Sequence, residues 1–247
     1  MALVNEFEKQ GNFLFRYRGQ FPVLLFLLAV PFLYWTDTTS LSDISQHVYF
    51  YSAIMLSVLG FCIRAYTVAT TPKGTSGRNT KEQKAFVLNT TGIYSVVRHP
   101  LYLGNYFMWI GIVVFTFNPF FIVFVSFLYW IYYERIMYAE ERFLERKFGE
   151  DYMIWASSLN AFIPTLKAFK PSLIPFSIKT VLRREYSGVL ATTIGFVFVD
   201  VIRHYFNHGE WFISPLFLYM LLFVSFSALL LRTLKHNTAL LSEEGRS

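Results

Sequence analysis

The sequence predicts an all-α protein, a polytopic transmembrane helical bundle of about six spans with both termini in the cytoplasm. Three observations carry this reading. The 247 residues are 54% hydrophobic and only 15% charged, against roughly a quarter charged in an ordinary soluble domain. The apolar residues gather in six runs, about 21–35, 48–69, 102–117, 119–138, 186–204 and 211–231. Lysine and arginine crowd into alternate connections between those runs and avoid the others. The 28 phenylalanines suit lipid-facing helices better than a water-soluble core.

Taken in order, the first twenty residues are polar and lack the charged-then-apolar order of a cleaved signal peptide, so the first apolar run is expected to be retained. That run carries Pro22 and Pro31, and several runs fall short of the roughly 20 apolar residues of a full span. The lone cysteine, Cys62, lies inside the second run and reads as a small buried hydrophobe. A single cysteine rules out an intrachain disulfide and a CxxC metal site. Runs three and four meet at Asn118-Pro119, a turn signal that makes them a tight hairpin.

Beyond Glu141, Leu144, Phe148, Tyr152, Trp155 and Leu159 form one amphipathic face, interrupted by Gly149 and stopped by Pro164. This helix is expected on the inner membrane surface. The basic and apolar stretch from Lys167 to Lys179, followed by Arg183-Arg184, suits anionic headgroups. The chain reads as one membrane domain over 1–247: a core at 85–165, then an interfacial segment and two further helices within 166–247.

Charge sets the expected orientation. Three basic residues precede run one, five lie between runs two and three, nine run from Arg135 to Arg184, and three follow run six. The connections after runs one, three and five have none. The two remaining basic residues, Arg64 and Arg203, fall within runs two and five, and Arg135 lies at the end of run four. By the positive-inside rule the basic connections are cytoplasmic. Two polar clusters then share one face: Arg98-His99-Pro100-Leu101-Tyr102 at the mouth of run three, and Glu140-Glu141 closing run four.

Pro100 fits the first turn of a helix, where its missing N–H costs nothing. Arg98 and His99 would sit at the positive helix end, where free backbone N–H groups suit a carboxylate or phosphate. Gly104, one turn in, admits a ligand or another helix close to the backbone. A basic topogenic flank explains the same residues equally well. Carboxylates beside an apolar span are costly unless partnered or solvated. Glu140 and Glu141 therefore read either as acceptors for a ligand's hydroxyl or amino groups or as a solvated helix end. The loop from Thr71 to Lys81 contains Lys73 and Arg78 among glycines and hydroxyls, a candidate anion nest or a plain basic loop, and it lacks Walker spacing. Asp200, His204 and His208 share a helical face, but at the end opposite the two clusters. They read as an interfacial polar end rather than a metal site.

The ordered set Gly92-x-Tyr94-x3-Arg98-His99-Pro100-x-Tyr102-x-Gly104, then Asn118-Pro119, Glu140-Glu141, Leu144, Phe148-Gly149, Tyr152 and Ile163-Pro164 resembles the isoprenylcysteine carboxyl methyltransferase family, which is related to the phospholipid N-methyltransferases. The resemblance covers about 85–165 and joins separated clusters rather than one short motif. It implies an integral-membrane enzyme using S-adenosyl-L-methionine as methyl donor. By carry-over, Leu88, Asn89, Tyr94, Arg98, His99, Pro100, Leu101, Tyr102, Glu140 and Glu141 would bind the donor, with Phe86 nearby. Arg135 would contact the acceptor, with Lys73 and Arg78 as further acceptor-binding candidates. No catalytic base is assigned and no metal is expected.

The implied reaction is methyl transfer to an acidic oxygen of a membrane-embedded acceptor, either a lipid or glycolipid phosphate or a prenylated cysteine carboxylate. The partners would be lipids or lipidated molecules and not nucleic acid. The basic loops and the two extra helices lean toward a lipid acceptor. An anionic oxygen is nucleophilic as it stands, whereas an amine must first shed a proton. The alternatives are a phosphatidylethanolamine-type N-methyltransferase and, of another class, a non-catalytic membrane scaffold or transporter.

Overall fold

A computed structural model describes residues 2–72, 74, 83–165 and 169–246. Among them are eight α-helices: α1 Leu3–Arg16, α2 Phe21–Trp35, α3 Asp43–Ala69, α4 Pro100–Val114, α5 Pro119–Phe148, α6 Glu150–Ser157, α7 Ile178–His208 and α8 Pro215–Asn237. Four of these, α3, α5, α7 and α8, are long and apolar enough to cross a membrane, while α2 and α4 are shorter apolar helices. A 15-residue helix such as α4 rises only about 22 Å, less than the roughly 30 Å hydrocarbon layer.

Several expected boundaries move. The polar N-terminus is the helix α1, whose Phe7, Gly11 and Phe15 recur at helical spacing. It lies along α5, where Phe7 meets Tyr138 edge-on and Arg146 pairs with Glu8 at 2.6 Å. Glu140-Glu141 does not close its helix, because α5 runs about two more turns to Phe148. Arg183 and Arg184 belong to α7, which begins at Ile178 rather than 186. Cys62 is exposed on α3 and not a buried hydrophobe, because the packed face of that helix falls on Ala53, Ser57, Gly60 and Ala65.

The hairpin at Asn118-Pro119 forms as the dipeptide predicts. The Asn118 side chain accepts the Phe121 N–H at 2.9 Å, and Pro119 occupies the first helical turn. Because α4 is half the length of α5, the hairpin leaves α5 overhanging the start of α4. This overhang makes a recess at one end of the bundle.

The seam between α3 and α4 explains Gly104. A Cβ there would lie 2.5 Å from Arg64 Cγ and 2.9 Å from the Gly60 carbonyl oxygen, and one at Gly60 would meet the Gly104 carbonyl oxygen at 2.5 Å. Small residues bring the two backbones together, as is common in membrane helix pairs. Tyr129 Oη donates to the Tyr102 carbonyl at 2.6 Å and ties α5 to the same seam.

At the end away from the recess, the Arg203 guanidinium lies over Phe115 and Phe117 and donates to the Phe115 carbonyl at 2.8 Å. Asp200 accepts from the Ser214 N–H and hydroxyl, so it pins the turn between α7 and α8. His204 stacks near His208. Among the described residues no group of three or more His, Cys, Asp and Glu is placed to hold a metal.

Candidate active site

The start of α4 is held from all sides. Gly92, at φ +62, turns the chain before it, and its N–H donates to the Lys170 carbonyl at 2.8 Å. Lys170 N–H donates to Ser95 Oγ at 2.8 Å. Part of the expected interfacial segment is thus pinned onto the loop before α4. The Arg98 and His99 N–H groups donate to the carbonyls of Asn160 and Ala161, both at 3.1 Å. They are therefore not free for an anion, contrary to the simplest reading of that helix end.

Arg98 is a staple. Its Nε and Nη2 donate to Glu141 Oε1 and Oε2 at 2.9 and 3.2 Å, and its Nη1 donates to the carbonyls of Ala156 and Leu159. One side chain thereby binds the mouth of α4 to α5 and to the end of α6. Trp155 Nε1 adds a bond to the Tyr94 carbonyl at 3.0 Å. The helix α6 owes its position to these contacts.

His99 is 7% exposed. Its Nε2 lies 2.8 Å from Glu141 Oε1 and its Nδ1 lies 3.5 Å from Glu140 Oε2. Burial pulls its pKa down, but the two carboxylates outweigh burial and hold it at about 9. The ring is therefore an imidazolium at neutral pH, hydrogen-bonded through Nε2 to Glu141 and ion-paired through Nδ1 with Glu140. It stacks on Tyr102 with ring centroids 5.6 Å apart. Burial, then the charge of Glu140, raises the Tyr94 hydroxyl above its ordinary value, so it stays protonated.

These elements surround a cavity of about 330 Å³. Leu88, Asn89, Tyr94, Arg98, His99, Pro100, Leu101, Tyr102 and Glu140 all line it, so nine of the ten residues expected to bind a donor are brought together. Glu141 is not among the lining residues; its oxygens are occupied by Arg98 and His99. Phe86 is largely exposed, with Lys147 over its ring. Lys73 and Arg78 lie outside the described residues.

Arg135 faces a second cavity. This one holds about 950 Å³ and is walled mainly by apolar residues of α1, α2 and α5, with Glu6, Lys9, Gln10 and Arg135 among its polar residues. Arg135 pairs with Glu134 at 3.0 Å and lies over the Phe7 ring. Tyr133 lines both cavities.

Sequence reasoning missed several lining residues of the first cavity: Arg18, Arg64, Asn105, Tyr133, Arg184 and Glu185. A signal existed for one of them, since Arg64 is a charge inside an apolar run, where a polar partner is expected. Glu185 was hidden because α7 was expected to begin one residue after it.

Fold and site together define an α-helical integral membrane protein with a polar, ligand-sized cavity at one end of its bundle. Its relatives are methyltransferases. Residues 48–151 match the phospholipid methyltransferase family. Protein-S-isoprenylcysteine O-methyltransferase of Saccharomyces cerevisiae is 33% identical over 85 residues, covering 34% of this chain and 36% of that protein. The enzyme of the same name from Tribolium castaneum is 31% identical over 84 residues, 34% of this chain and 30% of that protein. The one from Dictyostelium discoideum is 28% identical over 155 residues, 62% of this chain and 64% of that protein. The chain therefore spans between about a third and just under two thirds of these relatives' lengths. No solved structure gives a significant match. The chain is similar to the isoprenylcysteine carboxyl methyltransferase family, as its motifs imply.

Proposed function

We propose that this protein is an integral-membrane methyltransferase that passes a methyl group from S-adenosylmethionine to an acidic oxygen of a lipid-like acceptor, at the cytoplasmic face. The observation that carries this reading is the sharing of Tyr133 by two cavities, one richer in charged and polar lining than the other. The smaller sets charged and polar side chains among apolar ones and is of a size for a small charged ligand; the larger is walled mainly by apolar residues and open to a lipid chain. A donor and an acceptor seated in them would meet at that residue.

The residues of the smaller cavity fit the donor. Glu140 offers a carboxylate to hydroxyl or amino groups, and the Tyr94 and Tyr102 rings with His99 supply flat surfaces for a base. When bound, S-adenosylmethionine supplies a methyl already activated by its sulfonium charge. The chain's own task is then alignment and exclusion of water rather than covalent catalysis. Arg98 and Glu141 hold the site's walls in place. Arg135 offers a cation within the apolar groove for an anionic part of the acceptor.

The protonated state of His99 favours an anionic acceptor. An imidazolium held by two carboxylates cannot take a proton from an amine at neutral pH, and a carboxylate or phosphate oxygen needs none removed. A prenylated cysteine carboxylate, the group that the relatives' names point to, and a lipid phosphate both qualify. The second reading, N-methylation of an amine headgroup, is favoured only by the name of the matched family.

The test is transfer of labelled methyl from the donor to a total lipid extract and to a prenylcysteine, using purified protein. Base-labile label on the prenylcysteine marks a carboxyl methyl ester, and base-stable label located on a lipid phosphate by mass spectrometry marks a methyl phosphodiester; either supports the reading. Base-stable label in an amine headgroup transfers the assignment to N-methylation. Donor binding without any transfer would leave a non-catalytic membrane protein.

A further inference from the structure

A bidentate ion pair connects the polar cavity to a helix beyond the family-matched segment. Arg64 on α3 donates from Nε to Glu185 Oε2 and from Nη2 to Glu185 Oε1, both at 2.7 Å. Its Nη1 donates to Asn105 Oδ1 at 2.6 Å. Because that oxygen is taken by the guanidinium, the amide nitrogen of Asn105 is the atom turned toward Tyr133, 3.4 Å from the hydroxyl. The contacts run from α7 through α3 and α4 to α5. All four residues line the polar cavity, and Tyr133 also lines the apolar one.

The pair has no evident value as a simple fastener. Taking two charges out of water is costly, and apolar side chains of similar volume usually serve packing as well or better. Elsewhere the α3–α4 seam is made by small uncharged residues, among them Ala53, Ser57 and Gly111, with Ser57 donating to the Met108 carbonyl at 3.1 Å. At this level it is instead opened for the Arg64 stem by Gly104, where a Cβ would lie 2.5 Å from Arg64 Cγ. Glu185 is 2% exposed, so its carboxylate is committed to this partner.

We propose that Arg64 and Glu185 are positioning residues for methyl transfer. They fix the Asn105 amide, and through it the Tyr133 hydroxyl, at the boundary between donor cavity and acceptor groove. Helix α7, which lies beyond the matched residues 48–151, is thereby part of the active site. This inference rests on the function proposed above.

The experiment uses the full chain in detergent or nanodiscs and compares the native protein with Arg64→Met/Glu185→Leu and with Asn105→Leu. The double variant replaces the pair with apolar bulk and should keep its melting temperature. Its kcat is expected to fall about 10- to 100-fold, more than its acceptor KM changes, because misplacement of about 1 Å suffices for such a loss. Asn105→Leu should reproduce the kcat loss with the ion pair intact, and Glu185→Asp should recover part of it. Native kcat in a folded double variant would overturn the positioning role while leaving the methyltransferase reading untouched. Should the double variant not fold, native kcat in Asn105→Leu would overturn it as well. A native chain that binds no donor and transfers no methyl would remove the proposed function, and this inference with it.

Discussion

His99 Nε2 meets Glu141 Oε1 at 2.8 Å, and that bond joins the first turn of α4 to a helix forty residues further along the chain. Arg98 grips the same carboxylate through two nitrogens. Glu141 is therefore the wall on which the mouth of α4 is hung, and Glu140, one residue earlier, faces the cavity.

Glu141→Ala should weaken the fold as well as donor binding, since it leaves Arg98 and His99 without their shared acceptor. A loss of about 1–3 kcal/mol is expected, the usual cost of leaving a buried hydrogen-bonding group without its partner. Thermal denaturation in detergent reads it, and an unchanged melting temperature would contradict the wall role.

Glu140→Gln should act differently. The amide keeps the shape but loses the charge, so donor affinity should fall about tenfold, equivalent to about 1.4 kcal/mol, while stability falls less than in Glu141→Ala, because His99 keeps its shorter pairing with Glu141. Calorimetric titration with the donor, set beside the melting curve, separates the two effects.

The pH dependence has a definite sign. The folded chain holds His99 at about 9, above its ordinary 6.5, so it keeps a proton that the unfolded chain has already released between those values. The stabilisation is complete below about pH 6.5 and is lost as pH rises through about 9. Melting temperatures across pH 6 to 10 should decline in that window for native protein and stay flatter for His99→Asn.

Leu128→Trp would place bulk in the apolar groove. Acceptor KM should rise several-fold with donor affinity unchanged. Equal loss of both would mean that the two cavities do not hold separate ligands.

The architecture was legible where local chemistry decides it. Asn118-Pro119 specified its hairpin, and the family resemblance put Arg98, His99, Tyr102 and Glu140 together as donor-binding candidates, which line one cavity. What escaped was set by tertiary partners. The polar residues of α1 hid an amphipathic face that only α5 satisfies. The end of α5 lay beyond Glu141 because glutamate is a good helix former and the helix runs on until Gly149. Cys62 faces outward because the turn of α3 assigns the packed face to smaller residues. Arg64 and Glu185 are 121 residues apart, and no periodicity within one segment reports such a pairing.

The central claim, that the cluster at the start of α4 and Glu140-Glu141 on α5 are halves of one donor site, is tested most directly by binding of S-adenosylmethionine to the purified chain. Saturable binding is expected for native protein, lost in Glu140→Ala although that variant stays folded. Absence of binding to the native chain, or the same affinity in Glu140→Ala, would contradict it.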